Sequence, residues 1–253
     1  MSINKRETLE ILGISVDKVD MSKALSRFSE LMDTEECSLI VTPNSEIILS
    51  ATKDSALREI IASADLVIPD GIGIVHASKL LGQPLKERVT GIDFMEMILV
   101  WLQEHEKSIY LFGSKPGTEE REAVCDIAAK KKQLQYPNLK IAGTHHGYFK
   151  PEEEDSIVEE INASGADFLC VALGSPRQED FIARRRKELK VKAAIGVGGS
   201  FDVWAGTLKR APEFYREHGL EWLYRLIQEP SRYKRMAMLP VFMLKVIMNK
   251  SKS

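Results

Sequence analysis

The sequence predicts an α/β protein built on a doubly wound, mainly parallel β-sheet. Six short apolar runs, rich in Val, Ile and Leu, alternate with helical patterns at roughly 30-residue spacing. Runs that are apolar at nearly every position are typical of strands buried on both faces of a parallel sheet. Of the 253 residues, 44% are hydrophobic and 28% are charged. This ordinary globular composition excludes disorder, collagen and coiled-coil arrays as descriptions of the whole chain.

The individual elements follow from these patterns in chain order. Residues 7–20 indicate two short strands joined by a turn, and a helix is expected near residues 22–34. The apolar runs then predict the sheet strands at 37–42, 65–70, 108–113, 140–145, 167–174 and 193–199. Helical patterns between these runs cover residues 45–63, 116–133 and 176–189.

The C-terminal segment differs from the rest of the chain in charge. Residues 205–253 contain ten Lys or Arg and four Glu, a net charge of +6, which leaves −8 on residues 1–204. We therefore predict a core over residues 1–204 and a helical, basic and apolar appendage over residues 205–253 with an anionic partner. The apolar stretch at 236–248 is too short to span a bilayer but suits its interface. A terminal helix packed on the core is the alternative, and the acidic core argues against nucleic acid.

Several classes of site are excluded. The three cysteines stand far apart without a CxxC pair, which argues against a disulfide scaffold or zinc finger and fits a reducing cytoplasm. The first ten residues lack the apolar region of a signal peptide, and no apolar stretch reaches ~20 residues. The adjacent His145 and His146 would point to opposite faces of a strand, and HExxH and DxD are absent. We therefore expect no catalytic metal and no cofactor.

Site candidates follow the apolar runs, because ligands bind beyond the carboxyl ends of parallel strands. Asp70 ends one run, where a carboxylate suits a general base, with helix capping as the alternative. Thr42 and Asn44 follow another run, with the same alternative. Arg88 suits a diphosphate because its planar fork binds two oxygens, with a solvated surface arginine as the alternative.

Turns rich in Gly, Pro or small polar residues follow five of the six runs. Glycine lets a ligand approach the backbone, and helix N-termini after such turns attract phosphate. Gln178 and Glu179 open the helix after one such turn, where simple helix initiation is the alternative. Asp202 is placed either to hold a sugar or base edge or to cap the next turn. No turn matches GxGxxG or a P-loop pattern.

Seven blocks together resemble the WecG/TagA/CpsF family of glycosyltransferases in residues and in order. They are TPNSEII (42–48), ADLVIPDGIGIV (64–75), ERVTGIDF (87–94), LFGSKPG (111–117), GYF (147–149), LGSPRQE (173–179) and GVGGSFDVWAGTLKRAPEF (196–214). The similarity runs from about Leu39 to the C-terminal region. The segment EWLYRLIQEPSRYKR (221–235) is most similar to the TagA members of the family.

This resemblance implies a Rossmann-like core and an inverting, metal-independent glycosyl transfer. The implied donor is UDP-N-acetylmannosamine, and the acceptor is the 4-hydroxyl of GlcNAc on undecaprenyl diphosphate, in synthesis of the wall teichoic acid linkage unit. The resemblance assigns the base to Asp70, with Thr42 and Asn44 beside it and Arg88 at the diphosphate. It places Tyr148, Gln178 and Asp202 around the nucleotide-sugar.

The same resemblance and the strand-end turns define the wider expected site. The expected substrate-binding residues are Gly113, Ser114, Gly147, Tyr148, Gly174, Pro176, Gln178, Glu179 and Asp202. In TagA-like members, arginines of the appendage reach the site and the membrane, and the matching positions are Arg225, Arg232 and Arg235. The expected location is the cytoplasm, peripheral at the inner face of the cell membrane.

Two alternatives remain open at this stage. One is a relative that uses another donor, such as UDP-N-acetylmannosaminuronic acid or a capsule or exopolysaccharide sugar. The other is a non-catalytic nucleotide-binding module that recruits partners to the membrane. The presence of Asp70 together with Thr42, Asn44 and Arg88 argues against the non-catalytic module, because a protein that only binds a nucleotide needs no general base. Self-association as a homo-oligomer through the apolar tail also stays open.

Overall fold

A computed structural model of the chain describes residues 6–228, 230 and 238–250. The chain begins with an antiparallel hairpin of β1 (Thr8–Ile11) and β2 (Ile14–Asp17), followed by helix α1 (Met21–Met32). Asp20 caps α1 by accepting a hydrogen bond from the Lys23 N–H. The hairpin and helix predicted for this region are confirmed.

A parallel sheet forms the centre of the described residues. Its six strands are β3 (Ser38–Val41), β4 (Leu66–Val67), β5 (Ser108–Gly113), β6 (Lys140–His145), β7 (Phe168–Ala172) and β8 (Ala193–Gly196). They lie in the order β4-β3-β8-β7-β5-β6, and every neighbouring pair is parallel. The predicted fold class is therefore confirmed, and all six carboxyl ends lie at one edge of the sheet.

Helices cover both faces of the sheet. They are α2 (Ser45–Ala51), α3 (Ser55–Ser63), α4 (Ile72–Leu80), α5 (Gly91–Glu104), α6 (Val124–Gln135), α7 (Glu154–Ala163), α8 (Arg177–Arg185), α9 (Ser200–Trp204), α10 (Glu213–Glu217), α11 (Glu221–Gln228) and α12 (Met238–Lys250). Alternate strand residues enter opposite core layers: Leu39 and Val41 pack with α2 and α8, whereas Ile40 packs with α1 and α5. Burial on both faces explains why the strands are apolar at nearly every position.

Some predicted helices have different bounds in the structure. The single pattern at 45–63 is two helices, because Asp54 accepts a hydrogen bond from the Leu57 N–H and starts α3 after a turn. The pattern at 116–133 becomes helical only at Val124, and a bridge between Thr118 and Arg121 precedes it. The helical spacing of apolar residues does not reveal such interruptions, because a turn can end a helix while the spacing of apolar residues continues.

The terminal helix α12 has two different faces. On one face, Phe242 and Val246 are buried in the core against α2 and α4. This face therefore matches the alternative of a terminal helix packed on the core. The opposite face exposes the apolar side chains Val241, Leu244, Ile247 and Met248. Within the described ranges, no helix combines the length and the apolar character needed to cross a bilayer. The division into a core and an appendage at residue 205 stays a prediction.

Candidate active site

Two adjacent cavities open at the carboxyl ends of the strands in the described part of the chain. One, of about 460 Å³, borders the segments after β3, β4 and β8, and we call it the Asp70 cavity. The other, of about 760 Å³, borders the segments after β5, β6 and β7, and we call it the Tyr148 cavity. Gly174, Gly198 and Gly199 line both, so the cavities meet between the ends of β7 and β8. Doubly wound sheets bind ligands at this edge.

Asp70 and Thr42 lie together at the wall of the Asp70 cavity. The Asp70 N–H donates to the Pro43 carbonyl at 3.2 Å, which ties the turn after β4 to the turn after β3. A Cβ placed on Gly91, the first residue of α5, would lie 3.7 Å from both Asp70 Oδ2 and Thr42 Oγ1. The carboxylate is therefore beside a helix N-terminus, where the helix dipole stabilises negative charge. Gly71, rather than Asp70, is the N-cap of α4.

Asn44 both caps a helix and lines a cavity, the two roles that the sequence left open for it. Its Oδ1 accepts hydrogen bonds from the N–H groups of Glu46 at 2.9 Å and Ile47 at 3.0 Å, which caps α2. It also lines the Asp70 cavity. Because the cap uses the carbonyl oxygen, the amide nitrogen is the group of Asn44 that can donate to a ligand.

Arg88 borders the same cavity and is held by the C-terminal segment. Its Nη2 lies 2.9 Å from Glu221 Oε2 at the start of α11, and the two side chains are 18% and 17% exposed. The same nitrogen donates to the Arg216 carbonyl oxygen at 3.2 Å. Trp222 and Leu239 also line the cavity. The segment after residue 205 therefore forms one wall of the Asp70 cavity and neutralises its arginine.

Gln178 and Glu179 lie beneath the junction of the two cavities. Gln178 is only 4% exposed but lines the Asp70 cavity, and its Oε1 accepts a hydrogen bond from the Gly198 N–H at 3.0 Å. Its Nε2 donates to Glu179 Oε1 at 2.8 Å. Glu179 itself is buried and lines neither of these cavities. It therefore lies behind the cavity wall and not at a surface where it could contact a substrate, as the sequence analysis expected.

The Tyr148 cavity combines an aromatic ring with polar and cationic groups. Tyr148 lies exposed at its rim, Asp202 lines it, and its cations are Lys115, Lys150 and Arg177. The Ser114 carbonyl accepts a hydrogen bond from the Gly147 N–H at 2.8 Å. The Ser114 hydroxyl oxygen is buried and has no hydrogen-bond partner among the described residues. This set of groups suits a ligand with a flat ring and anionic oxygens.

The other expected site residues lie in three places. Pro176 lines the Asp70 cavity, and Gly174 lies at the junction. Gly113 lines neither cavity and instead passes so close to Ala172 that a Cβ there would overlap the Ala172 backbone. Arg225 lies on α11, whereas Arg232 and Arg235 lie outside the described residues.

The structure also shows where the potential metal ligands and the three cysteines lie. Across the described ranges, no three His, Cys, Asp or Glu side chains converge as ligands of a metal ion. The cysteines Cys37, Cys125 and Cys170 are buried. Burial raises the pKa of Cys125 to about 11, so this thiol is protonated at neutral pH and is a poor nucleophile.

Comparison with known proteins decides the family. The model of the Glycosyl transferase WecG/TagA/CpsF family matches residues 9–253. The chain belongs to this family. It is a glycosyltransferase, and the strand-end cavities are the part of its fold where such chemistry is expected.

Curated relatives of this glycosyltransferase share one description. A protein of Bacillus spizizenii strain W23 is 36% identical over 216 residues, which cover 85% of this chain and 81% of that protein. A protein of Staphylococcus aureus strain MRSA252 is 34% identical over 257 residues, which cover 100% of this chain and 98% of that protein. Both are named N-acetylglucosaminyldiphosphoundecaprenol N-acetyl-beta-D-mannosaminyltransferase.

The structure of this glycosyltransferase adds cavity residues that the sequence analysis did not select. Glu221 pairs with Arg88, and the cations of the Tyr148 cavity are Lys115, Lys150 and Arg177. Lys115 and Arg177 lie inside the seven blocks, Lys150 directly follows one, and Glu221 opens the segment 221–235, so a signal was present. Their side chains were overlooked because charged residues on turns and helix starts are usually solvated.

Proposed function

We propose that this glycosyltransferase transfers N-acetylmannosamine from UDP-N-acetylmannosamine to the 4-hydroxyl of GlcNAc on undecaprenyl diphosphate. The transfer proceeds with inversion and without a metal ion, and its product is the linkage disaccharide of wall teichoic acid. The names of the relatives support the sugar and the acceptor. The observation that carries the proposal is the convergence of Asp70 and Thr42 over Gly91, in a cavity that adjoins a second, cation-lined cavity.

The Tyr148 cavity is the proposed site of the UDP moiety. Its volume of about 760 Å³ suits a ligand of nucleotide size. Tyr148 offers a ring face to uracil, and Asp202 offers acceptor oxygens to ribose hydroxyls or to the base edge. The three cations can contact the diphosphate, and the unused Ser114 hydroxyl can donate to it. The sugar then extends through the junction at Gly174 and Gly198 toward Asp70.

The Asp70 cavity is the proposed site of the acceptor. Arg88 offers a planar cation for the lipid diphosphate once Glu221 gives way to it. One side of the cavity is apolar, formed by Ile47, Ile72 and Leu239, and it leads from Asp70 to α12. An acceptor with a sugar, a diphosphate and a polyprenyl chain therefore meets a carboxylate, a guanidinium and an apolar wall in one cavity.

The proposed reaction is a single displacement. Asp70 takes the proton of the acceptor hydroxyl while the hydroxyl oxygen attacks the anomeric carbon of the donor. The bond from that carbon to the β-phosphate oxygen breaks, and UDP leaves with the electron pair. Inversion needs only this one base, unlike the carboxylate pairs of glycosidases. The cations of the Tyr148 cavity stabilise the charge that develops on UDP.

The proposed location is the inner face of the cell membrane, where the lipid-linked acceptor lies. The outer face of α12 exposes Val241, Leu244, Ile247 and Met248, which suits the boundary between headgroups and acyl chains. The basic residues of the 205–253 segment favour anionic headgroups. In this proposal the enzyme meets its acceptor from the cytoplasmic side, through the outer face of α12 and the basic segment.

The decisive experiment measures UDP release from UDP-N-acetylmannosamine with a GlcNAc-diphosphate lipid analogue. We expect turnover by the wild type that EDTA does not change, and a loss of about 10²–10⁴-fold in Asp70→Asn. UDP should still bind to this variant, because Asp70 lies outside the Tyr148 cavity. The control is Asp54→Asn, which keeps the cap of α3 and should retain full activity.

Two results would contradict the proposal. Wild-type UDP binding without turnover would favour a different donor or acceptor, or the non-catalytic module. Turnover of Asp70→Asn at the wild-type rate would exclude Asp70 as the base. Running UDP-N-acetylmannosaminuronic acid in parallel identifies a different donor directly.

A further inference from the structure

Glu179 is a buried carboxyl group that the proposed reaction does not use. It is 3% exposed, and its Oε2 is buried without a hydrogen-bond partner among the described residues. Burial raises the pKa of this carboxyl, although Gln178, its own backbone and the Ser175 hydroxyl oppose the rise. A buried acidic group is costly for the fold. Because Glu179 lines neither cavity, its hydrogen bonds to neighbouring residues define what it does.

The chemistry of its neighbours shows what Glu179 holds. The Gly198 N–H can only donate, so the Gln178 atom that faces it must be the carbonyl oxygen Oε1. The amide nitrogen Nε2 then faces Glu179, whose Oε1 accepts from it. The orientation of the Gln178 amide is thus set from both ends. Without Glu179, the amide would lose the acceptor that holds its nitrogen.

Gln178 connects the two cavities. Its backbone N–H donates to the Gly174 carbonyl at 3.0 Å, and its side-chain Oε1 accepts from the Gly198 N–H. Both glycines line both cavities and have positive φ angles, of 77° and 51°. The Gln178 amide also lies directly on Gly196, where a Cβ would overlap Nε2. Gln178 therefore fixes the turns after β7 and β8 at the place where the donor sugar must pass.

We propose that Glu179 is a positioning residue for glycosyl transfer, which orients the Gln178 amide and through it the Gly198 turn. One N–H of Nε2 binds Glu179, and because Gln178 also lines the Asp70 cavity, we expect the second N–H to donate to a sugar or phosphate oxygen there. Glu179 itself touches no substrate. The kinetic test of this inference rests on the proposed function. The structural test depends only on the hydrogen bonds of Gln178.

The kinetic test is a double-mutant cycle in the full-length protein. Glu179→Ala should lower kcat by up to about 100-fold, because small misplacements of a positioning group have effects of this size. The double variant with Gln178→Ala should be no slower than Gln178→Ala alone, because Glu179 acts through Gln178. Glu179→Gln keeps an acceptor oxygen and should recover most of the loss. Additive losses, or a Glu179→Gln variant as slow as Glu179→Ala, would overturn the proposal.

The structural test needs no turnover. Hydrogen exchange of the Gly198 amide, read from peptides over residues 196–200, should accelerate in Glu179→Ala. The matched control is Asp167→Ala, which removes a carboxylate bonded to Ser108 at the opposite, amino-terminal end of β7. Unchanged Gly198 exchange in Glu179→Ala, or equal acceleration in the control, would contradict the inference. A wild type that does not release UDP would instead refute the proposed donor, and the exchange result would still decide whether Glu179 holds Gln178.

Discussion

At the scale of single residues, the site is built from side chains that also serve the fold. Asn44 caps α2 with its oxygen and lines a cavity. Gln178 binds the Gly198 turn and lines the same cavity. Each of these side chains is bound to the protein by a hydrogen bond and also borders the cavity. This sharing holds the site in place without flexible side chains, which lowers the entropy lost on binding.

The ion pair of Arg88 and Glu221 yields a prediction at this scale. Glu221 occupies the guanidinium that a substrate diphosphate would need, so Glu221→Gln should lower the KM for the lipid acceptor. A part-exposed pair contributes up to about 1 kcal/mol, which corresponds to roughly a 5-fold effect. Steady-state kinetics at saturating donor measure it. Glu217→Gln, an exposed residue of the same segment, is the charge-matched control. A higher KM in Glu221→Gln would show instead that the pair supports acceptor binding.

At the scale of elements, α12 has two apolar faces with different surroundings. The inner face completes the core over α2 and α4, and the outer face exposes apolar side chains. A polar contact also holds the end of the helix, where Lys250 Nζ donates to the Leu80 carbonyl at 2.6 Å. Packing on the core and contact with a lipid surface are therefore compatible, because different faces of one helix serve each.

Two valines on this helix test the inner face. Val246 is 1% exposed and Val241 is 45% exposed. Val246→Ala should lower the free energy of unfolding by about 2 kcal/mol, from lost burial and the cavity that remains. Val241→Ala should change it by less than about 0.5 kcal/mol. Urea unfolding of both variants gives the comparison. Equal effects would mean that α12 does not pack on the core in solution.

At the scale of the whole molecule, charge and hydropathy are divided between the two parts of the chain. Residues 1–204 carry −8 and residues 205–253 carry +6. The second segment also forms a wall of the Asp70 cavity through Glu221, Trp222 and Leu239. We expect a membrane surface that orders this segment to affect transfer as well, because the segment forms part of the cavity wall.

The outer face of α12 yields a prediction at this scale. Leu244→Glu should reduce co-sedimentation with vesicles that contain phosphatidylglycerol, because a charge replaces apolar contact and repels anionic headgroups. The thermal midpoint should stay near that of the wild type, since Leu244 is exposed. Activity on a short, soluble acceptor analogue should also persist. Unaltered vesicle binding would contradict this prediction and assign the membrane contact to another surface.

The fold class, the edge of the sheet where the two cavities open, and several of the residues that line them were predictable from local patterns. Strand burial on both faces, turn chemistry and parallel topology leave local signatures that need no distant contacts. Asp70, Thr42 and Asn44 follow neighbouring strands, so topology alone brings them together. The helix bounds were less accurate, because the pattern at 45–63 continues through a turn that only the Asp54 cap reveals.

Long-range packing, by contrast, sets which groups line a cavity and which lie behind its wall. Glu179 and Gln178 are adjacent in the sequence, yet one is buried beneath the other, and Gly113 packs against Ala172 instead of lining a cavity. The pairing of Arg88 with Glu221 joins positions more than one hundred residues apart. The two faces of α12 likewise depend on what packs against the helix. Such features come from long-range contacts, whose partners local patterns do not specify.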